Sequence, residues 1–129
     1  MLVRIILTGQ LVGMAGRSIA SIAHILGVSD ACNRRDHICS ALLLYEGRMV
    51  QVLEGRRADV DRTIGRMRRD SRLAALQTLA DTPIASRTLT ESARFCHEPA
   101  ETLAKAGLAG LDLLTVCDVE AMLGYRQAA

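Results

Sequence analysis

Gln51 is the side chain with the clearest chemical role, because it is an amide in the middle of an apolar run. Its neighbours are Val50, Val52 and Leu53. A buried amide without a hydrogen-bond partner costs about 1–3 kcal/mol, so this side chain needs a partner from the protein or from a ligand. The two alternatives are a core or edge-strand glutamine bonded to backbone and an amide that faces a ligand.

Cysteines and histidines form a second set of reactive side chains, but their spacing indicates no metal site. The histidines His24, His37 and His97 share no metal-ligand spacing with any acid or cysteine. His37 lies beside Asp36 and two residues before Cys39, which leaves a nucleophile pair as a minor alternative. The four cysteines, Cys32, Cys39, Cys96 and Cys117, are expected to be small buried hydrophobes in a reducing compartment.

The composition predicts one domain with a substantial core. The chain has 129 residues, of which 50% are hydrophobic, and its formal net charge is +2. No basic block is interleaved with aromatic residues, so we expect no nucleic-acid partner, with phosphate or nucleic-acid binding by an arginine-rich helix as a minor alternative. No apolar run reaches the roughly 20 residues of a membrane helix, and the short apolar N-terminus does not fit a signal peptide. We therefore expect a cytoplasmic protein without membrane contact.

Gln51 belongs to a predicted β-hairpin. Two apolar runs flank the short polar turn from Tyr45 to Arg48, which is typical of a tight hairpin between largely buried strands. A first strand is expected over Leu2 to Thr8, where Arg4 indicates an exposed face or end, and a glycine-containing loop follows it. Helical spacing then predicts a helix from about Gly16 to Leu26.

The whole pattern of elements predicts an α+β fold. The later elements are strands over Ile38 to Tyr45, Arg48 to Glu54, Leu73 to Ala80 and Ser86 to Phe95, and helices from Gly55 to about Arg72, from Glu98 to Lys105 and from Leu111 to Leu123, the last capped by Gly124. This order describes a ferredoxin-like βαββαβ sheet with an extra strand and two C-terminal helices. Residues 1–95 form the core, and residues 96–129 form a helical cap of the same domain over the second sheet face.

Acylphosphatases share this sheet topology, so a small acylphosphatase-like enzyme is one alternative function. Such an enzyme needs a glycine-rich phosphate cradle with a catalytic arginine after the first strand. The segment from Gly9 to Arg17 contains glycines and one arginine, but not in that arrangement. The acylphosphatase-like enzyme therefore stays a minor alternative.

The hairpin and the helix after it resemble the BLUF domains, which are blue-light sensors that use flavin. The similarity lies in Leu42-Leu43-Leu44-Tyr45, Gly47-Arg48, Val50-Gln51-Val52-Leu53-Glu54-Gly55 and Arg66-Met67-Arg68-Arg69-Asp70-Ser71-Arg72. It extends over roughly residues 2 to 95, and the predicted order of elements matches that of the family. The resemblance implies a bound FAD whose ring lies between two helices. It also implies a light signal that rearranges hydrogen bonds among a glutamine, a tyrosine and the flavin.

The resemblance assigns flavin contacts to particular residues. Gln51 occupies the position of the family's glutamine. Arg66 and Asp70, four residues apart on one helix face, match positions that contact the ring and its phosphate-bearing tail, with a solvated surface ion pair as the alternative. Arg34 replaces the second of two asparagines that hold the flavin. The remaining implied FAD contacts are Asn33, Leu26 and Met67.

Three positions depart from the family's photochemical set. Leu7 stands where the family has its tyrosine, and leucine offers neither a hydroxyl for the glutamine nor a ring that donates an electron. Glu91 and Ala93 stand where the family has a Trp-x-Met pair. The resemblance therefore implies a sensory domain with a degenerate flavin site that lacks the usual photocycle and acts through a protein partner or a homo-oligomer. The alternative within the family is a functional FAD-binding blue-light photoreceptor.

Overall fold

The computed structural model describes residues 1–12, 34–35, 37–89, 94–95, 98–111 and 114–123. Its strands are β1 (Leu2–Leu11), β2 (Cys39–Tyr45), β3 (Arg48–Arg56), β4 (Leu73–Ile84) and β5 (Arg94–Phe95). Its helices are α1 (Arg57–Arg68), α2 (Pro99–Lys105) and α3 (Val116–Leu123). The helix expected from Gly16 to Leu26 lies outside the described residues.

The described strands form one sheet with the order β4-β1-β3-β2-β5. β1 pairs antiparallel with β3 and β4, β2 pairs antiparallel with β3, and β5 adds parallel to β2. The β2–β3 turn has positive φ at Glu46 (50°) and Gly47 (78°), as a two-residue hairpin turn of type I′ requires. The predicted fold class is confirmed: the protein is α+β, with a ferredoxin-like sheet and β5 as its extra strand.

The sheet separates two apolar clusters. Because side chains alternate along a strand, Leu7 of β1 faces α1, whereas the adjacent Ile6 faces α2 and α3. The α1 side holds Val3, Ile5, Leu7, Ile38, Leu42, Met49, Leu53, Val60 and Ile64. The other side holds Ile6, Ala41, Leu43, Val50, Val52, Leu89, Leu103, Leu111, Leu114, Val119 and Met122. The C-terminal helices therefore cover the sheet face opposite α1.

Several element boundaries differ from those predicted. β1 continues through Gly9, which was expected in a loop. β4 continues through Pro83 rather than ending at Ala80. Since β4 is an edge strand of the described sheet, a proline without an N–H donor is tolerated there. β3 includes Gly55, where an added Cβ would lie 3.2 Å from Ile38 Cγ1, and α1 begins at Arg57 rather than at Gly55.

The C-terminal third also differs from the sequence pattern. The strand predicted from Ser86 to Phe95 is wrong over residues 86–89, which form a connection without strand pairing. The last helix begins at Val116 rather than Leu111. The backbone N–H of Thr115 donates to Asp118 Oδ2 at 2.9 Å, and the Asp118 N–H donates to Thr115 Oγ1 at 3.2 Å. This reciprocal capping arrangement fixes where the helix starts.

Arg4 and Glu54 form a buried ion pair between β1 and β3. They are directly opposite each other, their side chains are 5% and 0% exposed, and Arg4 Nε donates to Glu54 Oε2 at 2.9 Å. The expectation that Arg4 marks an exposed face or end is therefore wrong. An arginine is tolerated inside the sheet here because a carboxylate on the neighbouring strand neutralises it.

The same ion pair holds the connection that passes from β4 to β5. Arg4 Nη2 donates to Thr88 Oγ1 at 3.0 Å, and Thr88 Oγ1 donates to Glu54 Oε2 at 2.8 Å. Glu54 Oε1 also accepts the backbone N–H groups of Thr88 at 2.8 Å and of Leu89 at 2.7 Å. We call Arg4, Glu54, Thr88 and Leu89 the crossover anchor, because they fasten the chain where it crosses between the two edges of the sheet.

Candidate functional site

Gln51 lies in the middle of β3, on the face of the sheet that α1 covers. Its cross-strand partners are Leu7 on β1 and Leu42 on β2, and it is only 4% exposed. Among the described residues, the one fully buried side-chain polar atom without a hydrogen-bond partner is Glu120 Oε1, so the Gln51 amide is not a sealed, unsatisfied group. Gln51 is a largely buried residue flanked by leucines, and neither of the side chains directly opposite it can bond its amide.

The strand register explains why Leu7 matters for this amide. Residues directly opposite in an antiparallel pair have Cβ atoms roughly 4.5–5.5 Å apart. Leu7 is directly opposite Gln51 and fully buried. A hydroxylated side chain at this position would lie next to the amide, whereas leucine offers only methyl groups. The structure therefore brings Leu7, the position at which the resemblance implies a tyrosine, directly opposite Gln51.

α1 brings Met67 and Arg66 to the same side of the sheet. Met67 is half-buried and packs against the apolar cluster that contains Leu7. Arg66 is also half-buried, and its Nη2 donates to Thr63 Oγ1 at 3.3 Å. Both residues can therefore border a ligand on this face, and their contact with flavin stays a prediction.

Asp70, which follows α1, has a protein partner. Its carboxylate accepts Arg72 Nε at 2.9 Å and Nη2 at 2.6 Å, and also the Arg72 backbone N–H at 2.9 Å. The hydrogen bond to Asp70 raises the pKa of the Arg72 guanidinium. Asp70 would have to contact the flavin tail while it keeps this ion pair with Arg72, and that contact also stays a prediction.

The other implied flavin positions are only partly described. Arg34 is exposed, and Arg35 beside it is exposed too. Leu26, Asn33, Glu91 and Ala93 lie outside the described residues. The structure therefore brings Gln51, Leu7 and Met67 to one face of the sheet, and the contacts expected from the remaining positions stay predictions.

The described part of this face fits a flavin ring, with Gln51 as its polar group and Leu7 as the side chain opposite it. The Gln51 amide has a donor and an acceptor available for the polar edge of a ring, and the apolar cluster with Met67 suits the ring's faces. A bound FAD would supply the absorption of blue light. Leu7 cannot continue a hydrogen-bond chain from Gln51, since a leucine side chain neither donates nor accepts.

The nucleophile pair considered for His37 and Cys39 is not supported by their surroundings. His37 is exposed, and its carbonyl oxygen accepts Arg87 Nη2 at 2.7 Å. Burial raises the pKa of the Cys39 thiol, Arg87 opposes this shift, and Glu54 adds to it. The thiol is therefore protonated at neutral pH, which makes it a poor nucleophile. Cys39 and Cys117 are free thiols, and Cys117 is exposed, so the expectation of buried cysteines is wrong for Cys117. Cys32 and Cys96 lie outside the described residues.

Two other kinds of site find no support in the described residues. No group of three or more His, Cys, Asp or Glu side chains there could hold a metal ion. No helix within the same ranges is long and apolar enough to cross a membrane. The phosphate cradle considered between Gly9 and Arg17 begins inside β1, and residues 13 to 17 lie outside the described chain.

The crossover anchor is the polar cluster that sequence reasoning missed. One signal was present, because Arg4 and Glu54 are opposite charges placed singly within apolar strands that were expected to lie in one sheet. The predicted pairing of those strands would have suggested a buried ion pair. Thr88 and Leu89 gave no such signal, since their part in the anchor depends largely on backbone N–H groups.

Comparison with known proteins places this arrangement among light sensors. The family model of sensors of blue light using FAD, BLUF, matches residues 2–93. BlrB, a BLUF protein in its dark state, matches with a TM-score of 0.83 and 25% identity over 95% of this chain and 92% of BlrB. The photo-activated state of BlsA shares the fold, with a TM-score of 0.83 and 19% identity over 100% of this chain and 99% of BlsA.

Larger light-regulated proteins contain a similar region. A bacterial light-regulated adenylyl cyclase matches with a TM-score of 0.69 and 27% identity over 74% of this chain, which spans only 28% of the cyclase. No curated protein sequence matches the chain. The family match covers most of the chain, including the hairpin, Gln51 and α1, and the chain therefore belongs to the BLUF family of blue-light sensors that use FAD.

Proposed function

We propose that this chain is a BLUF-family regulatory domain with a degenerate flavin site, and that it lacks the family's usual photocycle. The observation that carries the proposal is the register of β1 and β3, in which Leu7 is directly opposite the buried Gln51. The family's signal, as the resemblance describes it, needs a tyrosine hydroxyl beside the glutamine. FAD binding is a separate property, because Gln51 and Met67 can contact a ring without that hydroxyl.

The output of such a domain is contact with a protein partner or with a second copy of the chain. A sensory family removes the acylphosphatase-like enzyme from consideration. The helices α2 and α3 pack on the sheet face opposite Gln51 through Leu103, Val119 and Met122, and we propose their outer surfaces as the part that contacts the partner. The reducing, cytoplasmic location expected from the cysteines belongs to the same proposal.

Absorption spectra in the dark and under blue light test the proposal. The purified protein should show no light-induced red shift, either as isolated or after reconstitution with FAD. The matched variants Leu7→Tyr and Leu7→Phe differ only by one hydroxyl. If FAD binds both, only Leu7→Tyr should gain a red shift, since only that variant restores a hydroxyl opposite Gln51. A reversible red shift in the native protein would refute the proposal.

The Gln51 amide, whose two cross-strand neighbours are leucines, favours one further candidate, which is an FAD-binding photoreceptor with altered chemistry. A ring edge would give this amide a hydrogen-bond partner that neither leucine can offer. This candidate predicts one FAD per chain and affinity weakened about tenfold in Gln51→Leu, since one net hydrogen bond is worth about 1 kcal/mol and more in a buried site. Failure to bind FAD on reconstitution would exclude it.

A further inference from the structure

A cleft on the sheet face opposite Gln51 combines polar and apolar walls. Its volume is about 400 Å³, within the range of roughly 300–1,000 Å³ that is usual for small-molecule sites. The polar wall consists of Thr8 and Gln10 from β1, Arg48 from β3 and Gln77 from β4. Leucine side chains, among them Leu79 and Leu114, form the apolar wall.

Strand pairing brings the four polar side chains together. Thr8 is directly opposite Gln77, and Gln10 is directly opposite Arg48. Thr8 and Gln10 follow Ile6 at intervals of two residues, so they continue the face that α2 and α3 cover further along the sheet. The cleft is therefore separated from Gln51 by the sheet itself.

These side chains retain capacity for further hydrogen bonds. Among the described residues, the side chains of Thr8, Gln10 and Gln77 make none. Arg48 already takes part in an interaction, but a guanidinium has five N–H donors and can hold a second acceptor. Arg48 is the one charged side chain in the described lining, and arginine recognises the oxygens of a carboxylate or sulfonate.

The β4 wall of the cleft is distorted in a way that often accompanies binding sites. Its pairing with β1 shifts register between Thr8 and Gln10, and Ala75, which lines the cleft, has φ of 53°. This left-handed conformation is unfavourable for alanine. Bulges and strained residues of this kind concentrate where a protein binds or positions a ligand.

We propose that this cleft binds a small amphipathic anion. The apolar body of the ligand packs against Leu79 and Leu114, and its carboxylate or sulfonate accepts hydrogen bonds from Arg48. The amides of Gln10 and Gln77 donate further N–H groups to the same acid. Because the cleft and Gln51 are on opposite faces, this binding does not require FAD and does not depend on the proposed loss of the photocycle.

Two fluorescent probes that share one aromatic body test the proposal. 8-Anilinonaphthalene-1-sulfonate carries the acid, and N-phenyl-1-naphthylamine lacks it. Titration into the full chain should give saturable binding of one sulfonate probe per chain and weaker binding of the uncharged probe. A saturating concentration of FAD should leave the sulfonate titration unchanged, whereas competition by FAD would place the probe near Gln51 and overturn the proposal.

Two arginine variants test whether Arg48 binds the acid group of the probe. Arg48→Gln should weaken the affinity for the sulfonate probe about tenfold, as expected for the loss of one hydrogen bond to a charged group. The affinity for the uncharged probe should stay unchanged. Arg62→Gln removes the same charge from the exposed face of α1 and should change neither titration. Equal effects of the two variants, or equal effects of Arg48→Gln on the two probes, would overturn the proposal.

A variant that fills the cleft tests whether the probes bind there. Gln77→Trp replaces an exposed lining residue in a strand, where tryptophan is well tolerated, and its ring should occupy the space of the ligand. Binding of both probes should be lost, while the unfolding midpoint stays close to that of the native protein. Retention of both probes in this folded variant would show that they bind elsewhere.

Discussion

Removing the charge of Glu54 should strongly destabilise the fold. Glu54→Gln keeps the size of the side chain but leaves the Arg4 guanidinium buried beside a neutral amide. The carboxylate is fully buried and accepts hydrogen bonds from Arg4, the Thr88 hydroxyl and the backbone N–H groups of Thr88 and Leu89. Breaking a buried ion pair at one partner costs about 3–5 kcal/mol. Since a domain of this size has a total stability of about 5–15 kcal/mol, the loss is a large fraction of the whole.

Urea denaturation followed by far-UV circular dichroism measures this cost. Glu101→Gln is the matched control, because Glu101 pairs with Lys105 on the exposed surface of α2. That variant should leave the urea midpoint unchanged, since exposed ion pairs contribute little. A cost below about 1 kcal/mol for Glu54→Gln would refute the description of the crossover anchor as a buried, mutually dependent network.

A double-mutant cycle measures how much of the stability comes from the interaction between Arg4 and Glu54 themselves. Arg4→Met should be about as costly as Glu54→Met, because each leaves one buried charge without its partner. The double variant should cost clearly less than the sum of the two, since neither charge then remains. Additive costs would mean that Arg4 and Glu54 stabilise the fold independently, which contradicts their 2.8 Å contact.

Two further predictions concern the β4 strand. Ala75→Gly should raise the free energy of unfolding by about 0.5–1 kcal/mol in urea denaturation, because glycine relieves the left-handed conformation at φ 53°. Ala58→Gly in the first turn of α1 should instead lower it, by at most about 1 kcal/mol. A loss of stability in Ala75→Gly would contradict the strain at this bulge. The hydrogen bond from Arg57 lowers the pKa of Asp81, so the carboxylate stabilises the fold above its ordinary pKa of about 3.9 and that contribution is lost as the pH falls further. Asp81→Asn should therefore show a smaller loss of urea midpoint on acidification than the native chain, and an unchanged profile would refute this assignment.

The hairpin was predictable because its causes are local. Apolar runs on both sides of a short polar turn specify two paired strands, and Glu46 and Gly47 adopt the positive φ values that such a turn needs. The identity of Gln51 as a buried amide followed from the same local pattern. Its neighbours across the sheet did not, because strand register depends on contacts between segments far apart in sequence, here between residues 7 and 51.

The connection after β4 could not be predicted from its own residues. Thr88 and Leu89 have side chains that favour strands, so their segment was predicted as one. Their backbone N–H groups instead donate to the Glu54 carboxylate, which lies 34 and 35 positions earlier in the chain. Local propensity cannot reveal a partner of this kind, and the same is true of Arg4, whose charge suggested exposure until Glu54 was found opposite it.

β3 links the two polar features of this domain. Gln51 and Glu54 are three residues apart, so strand alternation directs their side chains to opposite faces. The amide lies among the leucines beneath α1, whereas the carboxylate holds Leu89, which packs into the apolar cluster with α2 and α3. Leu7 lies opposite the first of these features, and Arg4 lies opposite the second. The proposed loss of the photocycle at Leu7 would therefore leave the link from β3 to the C-terminal helices in place, because that link runs through the Glu54 carboxylate and the backbone N–H of Leu89.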